Sequence, residues 1–281
     1  MKKKCIITLV CGFFWCLCLA QGQSPLHTTF GKSKSNFQKF IVTNKIAEIQ
    51  EDMQTESFPM TSKSYRFDTS GNMVTFGESG QNWGIETTYT YDKNNNLTTE
   101  LRKEIRQISN EQNKLTESES EILKIYEYEN NQLVAVLNTT TGEKTNIQYQ
   151  YSGDTTICTA THSDITEIKK LLPQKEEVVT ISALQQKTKW ITKYDTVGNI
   201  INIEMIDLSE GDMPFVVAID YEYDPNGNVL KKKEKIFNEF IKGDVRQITT
   251  YFYDLGKLEK IESIAHATLH QNHYFQYSYR K

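Results

Sequence analysis

Along most of the chain, apolar and aromatic positions alternate with polar ones, in short stretches separated by segments rich in Asp, Asn and Gly. Alternation with a period of two is typical of β-strands that bury one face. One unit recurs: an aromatic residue, any residue, a second aromatic residue and a polar turn. Its fullest copies begin at residues 65, 89, 193 (second aromatic only) and 221, and shortened copies begin at 126, 149, 251 and 275. Such recurrence predicts a repeated supersecondary structure.

The copy at 221–229 shows why the unit predicts a β-hairpin. Tyr221 and Tyr223 point to the same side of a strand, because side chains alternate between its two faces. The next four residues, 224–227, have the composition of a type I turn, and Gly227 stands where φ must be positive. Asparagine tolerates that backbone region better than most residues. The corresponding positions of the other full copies are Gly71, Asn95 and Gly198.

The spacing of the repeats predicts an all-β antiparallel meander of hairpin repeats. The second aromatic residues recur every 23 to 43 residues, which leaves room for two strands and two turns each time. With an opening strand over 40–50, we expect about sixteen strands in a curled sheet or a soluble barrel-like structure. Helix is expected to be a minor component, because its candidate starts at 46–49 and 184–186 have strand spacing and lack caps.

The first residues are typical of an export signal. Lys2, Lys3 and Lys4 precede an uncharged apolar run that ends at Ala20, and a secretory signal peptide has this composition and length. We therefore expect a signal peptide at 1–20, a loosely ordered N-terminal segment at 21–38 and a single β-repeat domain at 39–281. The mature protein is expected to be exported, either to the periplasm or out of the cell.

Charge and cysteine content exclude some functions. Loss of the three signal lysines takes the formal net charge from −4 to −7, whereas nucleic-acid binding needs a basic surface. Lys231, Lys232 and Lys233 are consecutive, so they should point to alternate faces of a solvated strand and form no basic patch. Cys158 is the only cysteine after the signal. We expect no disulfides and interpret Cys158 as a buried, unreactive thiol.

The aromatic-x-aromatic-Asp-x-x-Gly-Asn unit at 65–73, 89–97, 193–200 and 221–229 resembles the YD repeat of the RHS family. Together with an export signal, it is similar to exported bacterial proteins of unknown function with a porin-like fold. The copies at 126, 149 and 251 depart from the Gly-Asn turn. Large RHS proteins build a shell around a toxin from such repeats, and this chain of 281 residues is small for that role. The resemblance implies a fold and assigns no catalytic residue.

Two loops, which begin at Asp92 and Asp224, contain the first half of a calcium-binding motif. An EF-hand also needs glycine at its sixth position and glutamate at its twelfth. The residues at those positions of the two loops are Leu97, Lys103, Val229 and Lys235. Because a turn explains the Asp and Asn residues, we predict no calcium site.

The repeated aromatic residues have two candidate roles. They could form a platform for glycans or peptides, or they could pack across strands and set the register of the sheet. Aromatic pairs contribute about 0.5–1.5 kcal/mol beyond simple burial. Since no disulfides are expected, we favour the packing role.

His266, His270 and His273 form the histidine cluster of the chain. On a strand, His266 and His270 share a face and His273 points away. No cysteine or paired carboxylate accompanies them, and zinc sites use such ligands. We therefore expect exposed histidines, no metal site and no cofactor. A metal-assisted hydrolase using His266 and His270 is an alternative function.

No Ser, His, Asp or Glu residue stands out as catalytic, so we do not expect an enzyme. We predict an exported, non-catalytic binding or scaffold protein of the bacterial cell envelope, with an envelope glycan or protein as candidate partner. An outer-membrane β-barrel is a further alternative, because the strand number and the aromatic C-terminus suit one. In 229–236, however, charges fall on both strand faces, where a lipid-facing row must be apolar. We expect no membrane insertion and solubility without detergent.

Overall fold

One helix and eighteen strands form the described part of the chain in a computed structural model. The structure describes residues 29–30, 32–55, 61–109, 115–152, 155–162, 165–172, 174–182, 187–208, 216–237, 242–254, 257–265 and 269–280. The expected signal peptide at 1–20 and the candidate helix start at 184–186 lie outside the described residues.

The named elements follow one another as one helix and then the strands. Helix α1 spans Lys34–Thr43. The strands are β1 (Ile46–Thr55), β2 (Thr61–Phe67), β3 (Met73–Gly80), β4 (Trp83–Tyr91), β5 (Leu97–Ser109), β6 (Leu115–Glu129), β7 (Gln132–Asn138), β8 (Glu143–Ser152), β9 (Thr155–His162), β10 (Ile165–Leu172), β11 (Lys175–Ser182), β12 (Lys187–Tyr194), β13 (Ile200–Asp207), β14 (Val216–Tyr223), β15 (Val229–Phe237), β16 (Lys242–Asp254), β17 (Lys257–Ala265) and β18 (Leu269–Tyr279).

The sheet is an antiparallel meander that closes into an 18-strand barrel. Each strand pairs with its neighbours in sequence, and β1 pairs with both β2 and β18. Ile49 lies opposite Tyr65 on one side and Tyr277 on the other. The predicted all-β antiparallel meander is therefore confirmed, in its barrel form.

The strand number differs from the expected sixteen. The additional hairpin is β10–β11, which holds no Phe, Tyr or Trp and so lacks the aromatic pair that marks the other repeats. β10 pairs with β9, and β11 pairs with β12, so this hairpin lies within the wall of the barrel.

The turns of the repeat confirm the predicted backbone geometry. Gly227 has φ of 77°, and the carboxylate of Asp224 accepts hydrogen bonds from the backbone N–H groups of Asn226 and Asn228, both at 2.8 Å. The side-chain amide of Asn228 donates to the other Asp224 oxygen at 3.0 Å. Gly71, Asn95 and Gly198 also have positive φ at the predicted positions, and Asn130 and Asn131 have positive φ in the turn of a shortened copy.

A β-bulge lies beside each of these turns. In β15, Val229 is opposite Tyr223 and Lys231 is opposite Glu222, so Leu230 has no partner residue. The same one-residue shift precedes Phe67, Tyr91, Tyr128, Tyr194 and Tyr253. Bulges increase the local twist of a sheet, and here they recur where the wall must curve.

Helix α1 replaces the first part of the strand that was expected at 40–50, and that expectation is wrong for residues 40–43. Ser33 caps the helix, because its hydroxyl accepts from the backbone N–H of Asn36 at 3.4 Å. The strand begins at Ile46. Within the segment expected to be loosely ordered, Phe30 and Phe37 are buried in the core.

Within the described residues, no helix combines the length and the apolar character needed to cross a membrane.

Candidate ligand site in the barrel lumen

The aromatic residues of the repeats point into the barrel, where they form a layer that we call the aromatic floor. Tyr65, Tyr126 and Tyr251 are each no more than 5% exposed. The remaining members of the aromatic floor are Phe67, Tyr89, Tyr91, Tyr128, Tyr194, Tyr221, Tyr223, Tyr253, Phe275 and Tyr277. Eighteen-strand porins leave an aqueous channel, whereas these side chains pack with Phe30, Phe37 and Ile41 into one core cluster inside the barrel.

Hydroxyl groups tie the aromatic floor to neighbouring hairpins. Tyr91 donates to the carbonyl of Met73 at 2.8 Å, and Tyr277 donates to the carbonyl of Leu258 at 2.8 Å. The acceptors are the first residue of β3 and the second residue of β17, each near the start of the return strand in the preceding hairpin. This arrangement supports the packing role of the aromatic residues, since each hydroxyl links one repeat to the next.

Helix α1 lies below the aromatic floor, at the end of the barrel that contains the turns 68–72, 92–96, 130–131, 195–199 and 224–228. We call this end the tight-turn end. Gln38 donates to the carbonyl of Ser70 at 3.0 Å and to the side-chain oxygen of Asn72 at 2.8 Å. Asn36 donates to the carbonyl of Val197 at 2.5 Å. Because these turns belong to separate hairpins, α1 bridges the tight-turn end.

Lys32 adds a charged contact at the tight-turn end. Its amine donates to the carbonyl of Gly227 at 2.9 Å. Burial lowers the pKa of Lys32, and the carboxylates of Asp224 and Asp195 oppose that shift. The N-terminal segment is thus held to the turns by both hydrogen bonds and charge.

Above the aromatic floor, the inner face becomes polar. Glu51 on β1 is 6% exposed, and its carboxylate accepts from the Tyr65 hydroxyl at 3.1 Å. The other carboxylate oxygen lies 2.5 Å from Nδ1 of His273 on β18. The two residues that flank the closing seam between β1 and β18 are therefore joined by a buried polar contact.

A second polar cluster surrounds Glu100 on β5, which is 3% exposed. Its carboxylate accepts from the Tyr126 hydroxyl at 2.7 Å and from the Lys124 amine at 3.1 Å. Burial of a carboxylate is tolerated when it is paired and hydrogen-bonded. This cluster is therefore self-contained.

A cavity of about 150 Å³ opens beside the first cluster. Its lining residues are Thr29, Glu51, Tyr221, Lys232, Thr249, Tyr251, Ile261 and His273. Its lining combines a lysine, the buried carboxylate of Glu51, hydroxyl groups and one aliphatic side chain. The arrangement can bind a small polar group, and we regard it as the candidate ligand site.

The lysine triplet is only partly placed as the sequence predicts. Lys231 and Lys233 are opposite Glu222 and Asp220, on the outer face, and Lys233 forms an ion pair with Glu222. Lys232 is opposite Tyr221, and its side chain therefore points into the lumen. The expectation of a solvated lysine is thus wrong for Lys232, and strand alternation was the signal that could have identified it.

The histidines are not brought together as the sequence suggested. His273 faces the lumen, half-buried against Glu51, so the expectation of an exposed side chain is wrong for this residue. His266 lies outside the described residues, and only the backbone of His270 is described, in β18. Among the described residues, no group of three His, Cys, Asp or Glu side chains is placed to hold a metal. The predicted lack of a metal site stays a prediction.

The remaining candidates have structural explanations. The Asp92 and Asp224 carboxylates accept hydrogen bonds from their own turns, as the turn interpretation predicts. Cys158 is a half-buried cysteine on β9 that forms no disulfide, and it lies opposite Tyr149.

Comparisons with known proteins add a resemblance in architecture. No protein-family model matches the chain, so the resemblance to YD repeats of the RHS family is not supported. No curated protein sequence matches either. A porin-like protein from Bacteroides vulgatus is 10% identical, with a TM-score of 0.39, over 84% of this chain and 98% of that one. A porin-like protein from Bacteroides uniformis is also 10% identical, with a TM-score of 0.32, over 83% and 98%.

The expectation that the chain does not insert into a membrane is wrong for this architecture. The expectation depends on the charges at both faces of 229–236, because a lipid-facing row of side chains must be apolar. The strands close into an 18-strand barrel, and a barrel that spans an outer membrane has a polar interior. Lys232 faces that interior, while Lys233 and Lys235 are paired with carboxylates of β14.

Proposed function

We propose that this chain is an outer-membrane-type β-barrel of the bacterial cell envelope, closed at one end, which binds a solute in its lumen without catalysis. The observation that carries the proposal is the closure of the tight-turn end by α1 and the aromatic floor. A bore that is filled in this way does not suit an open diffusion channel. The remaining polar lumen suits binding.

The strand arrangement supports the barrel class. Bacterial outer-membrane barrels have an even number of antiparallel strands, and the described residues form eighteen. Both ends of the barrel sequence lie at the tight-turn end, because the backbone N–H of Arg280 donates to the carbonyl of Lys45 at 2.9 Å. An even-stranded meander requires this placement.

The outer surface of β16–β18 supports contact with an apolar environment. Ile248, Phe252, Ile264 and Tyr274 are 37–42% exposed on this face. Ile248 is opposite Ile264. Exposed apolar groups on adjacent strands mark a membrane or protein contact surface, and we assign this surface to the membrane.

Other parts of the outer surface carry ion pairs between strands. Lys193 lies 2.7 Å from Glu204, and Lys235 lies 2.8 Å from Asp220. Since a lipid-facing row must be apolar, we place these pairs outside the hydrocarbon layer. The depth of insertion is therefore expected to differ around the barrel.

Fractionation of cells that express the full chain tests the proposal. We expect the protein in the outer-membrane fraction, with release only by detergent, and slower migration after heating because a closed barrel resists unfolding in mild detergent. Recovery of folded protein in the periplasmic or culture fluid without detergent would contradict the membrane assignment.

The non-catalytic part of the proposal needs a separate test. We expect no hydrolysis of envelope glycans, peptides or lipids by purified protein, with or without added zinc. Zinc-dependent hydrolysis that is lost in a His270→Ala variant would instead support the alternative of a metal-assisted hydrolase.

A further inference from the structure

Trp83 is a large aromatic side chain at the end of the lumen opposite α1. It is the first residue of β4, which runs from that end to the turn at 92–96. Because side chains alternate along a strand, Trp83 lies on the same inner face as Tyr89 and Tyr91. The aromatic girdles of membrane barrels belong to the outer, lipid-facing surface, so they do not account for it. Trp83 is 37% exposed, and its exposed surface therefore faces the lumen.

Gly80 supports the indole of Trp83 from one side. It lies opposite Trp83 across the hairpin of β3 and β4. A Cβ atom on Gly80 would lie 2.5 Å from Nε1 of Trp83 and 2.8 Å from its Cε2. The indole therefore occupies the space that a side chain at position 80 would fill, and it rests on the backbone of β3. An aromatic ring held in this way is preorganised, which lowers the cost of binding a ligand against it.

Polar groups of β5 lie beside the indole. Arg106 is opposite Trp83, and its Nε lies 2.5 Å from Oε1 of Glu104. Nη2 of Arg102 lies 3.6 Å from the other oxygen of Glu104. A guanidinium group carries five N–H donors, and a carboxylate accepts several hydrogen bonds. Donors and acceptors are thus placed side by side, next to an exposed aromatic surface.

The charges on this part of the inner face are paired. The Lys63 amine lies 3.7 Å from Glu78, and the Lys124 amine lies 3.1 Å from Glu100. An ionic ligand would have to compete with these pairs and with the pairs of Glu104. An uncharged ligand with many hydroxyl groups can instead donate to a carboxylate and accept from a guanidinium group without separating them. Saccharides have such hydroxyl groups together with apolar C–H faces that can cover an indole.

We propose that Trp83, Arg106 and Glu104 form a saccharide site at the open end of the lumen. The apolar face of a sugar ring lies on the indole, and its hydroxyl groups form hydrogen bonds with Arg106 and Glu104. The assignment rests on the lumen binding of the proposed function and names the class of solute. It also gives Gly80 a positioning role, because this residue determines where the indole lies.

Calorimetric titration of the mature chain in mild detergent with cellotetraose, maltotetraose and chitotetraose tests the site. We expect at least one of these uncharged tetrasaccharides to bind. Trp83→Ala is expected to lose about tenfold or more in affinity, as an aromatic anchor of a binding site does. Trp190→Phe is the matched control, because it changes the other tryptophan that follows the expected signal peptide. It is expected to bind like the natural chain, and its remaining tryptophan fluorescence should change when saccharide binds.

A pair of glycine variants tests the site without removing any group that contacts the ligand. Gly80→Ala places a methyl group where the indole lies, so we expect it to displace Trp83 and weaken binding several-fold. Gly84→Ala is the control on the neighbouring strand, since the nearest atom to its Cβ would be the backbone oxygen of Glu78 at 3.9 Å. It is expected to leave binding unchanged.

Three results would overturn the saccharide site: no binding of any of the three tetrasaccharides, unchanged affinity in Trp83→Ala, or equal affinities of Gly80→Ala and Gly84→Ala. If Trp83→Ala does not fold, the two glycine variants still decide the outcome. Heat-dependent migration and membrane fractionation report on the barrel separately. A folded, membrane-bound barrel that binds no saccharide would therefore overturn this assignment and leave the membrane barrel of the proposed function standing.

Discussion

At the scale of single residues, equivalent turn glycines differ in what surrounds them. A Cβ atom on Gly227 would have Asn199 as its nearest neighbour, at 3.7 Å. A Cβ atom on Gly71 would lie 2.8 Å from the backbone oxygen of Gln38, because α1 packs against that turn. Both turns therefore need a residue with positive φ, but Gly227 has free space around it and Gly71 is closely packed.

We predict that Gly227→Val lowers the free energy of unfolding by about 1–3 kcal/mol, the cost of a strained backbone, and that Gly227→Asn lowers it little. Asn95 already occupies the equivalent position with φ of 64°. Gly71→Asn should destabilise more than Gly227→Asn, because it also displaces α1. Urea unfolding of the three variants measures this order.

Two results of the urea measurements would contradict these predictions. Equal destabilisation by Gly227→Val and Gly227→Asn would show that Gly227 is not chosen for its backbone angles. Equal effects of Gly71→Asn and Gly227→Asn would argue against the contact between α1 and the turn at 68–72.

We expect Asp92 to contribute to the loss of folding stability at low pH. Hydrogen bonds from the backbone N–H and side-chain amide of Asn96 lower the pKa of Asp92. A carboxyl group whose pKa is lowered on folding stabilises the protein above its unfolded pKa, roughly 3.9, and this stability is lost as the pH falls through the folded pKa. Asp92→Asn should therefore lower the urea midpoint at pH 7 more than at pH 3.

Glu129→Gln is the control for this measurement, since it makes the same charge change at an exposed residue on the adjacent hairpin. If the change in urea midpoint between pH 7 and pH 3 is the same for Asp92→Asn and Glu129→Gln, the hydrogen bonds of the Asp92 turn do not explain it.

Some residue contacts were predictable from the sequence and others were not. The Asp and Gly positions of the turns follow from local backbone requirements, so the repeat alone indicates them. The contact between Glu51 and His273 joins residues 222 positions apart and depends on which strands meet at the seam. The inward direction of Lys232 follows from strand alternation.

At the scale of elements, α1 is the part of the fold that the sequence did not indicate. It has no acidic residue in its first turn and no basic residue in its last, so the usual charge signals are missing. Its second half contains Phe40, Ile41 and Val42, residue types that favour strands. Burial of Phe37 and Ile41 against the aromatic floor overrides that preference.

We predict that Phe37→Ala lowers the free energy of unfolding by about 3–5 kcal/mol, as expected for a buried aromatic side chain. Phe37 is 4% exposed, and its ring centroid lies 6.1 Å from that of Phe67. Lys39→Ala, an exposed change on the same helix, should have little effect. Similar urea midpoints for both variants would show that α1 is not part of the core.

At the scale of the whole molecule, the closed bore predicts poor conductance. We expect the full mature chain to give no steady open-channel current in planar lipid bilayers. Deletion of residues 29–44 should raise the conductance, because it removes the bridge between opposite turns.

An Asn36→Ala/Gln38→Ala variant tests the same idea without a deletion. It removes three hydrogen bonds to the turns and should give brief openings. A steady current through the natural chain would contradict closure by α1. The absence of any current through both the deletion variant and the double variant would also contradict it.

The pairing of β1 with β18 also determines the order in which the chain can fold. Every other strand pairs with partners that are close in sequence, so each hairpin can form as its residues become available. Pairing of the first strand with the last costs conformational entropy. Local contacts do not offset this cost before β18 has formed. Until then, β1 and β17 present open edges, which readily pair with other chains. The last eleven residues of the sheet, Leu269–Tyr279, therefore decide between a finished monomer and an aggregating sheet, and a chain that is cut short before them is a natural substrate for chaperones and proteases.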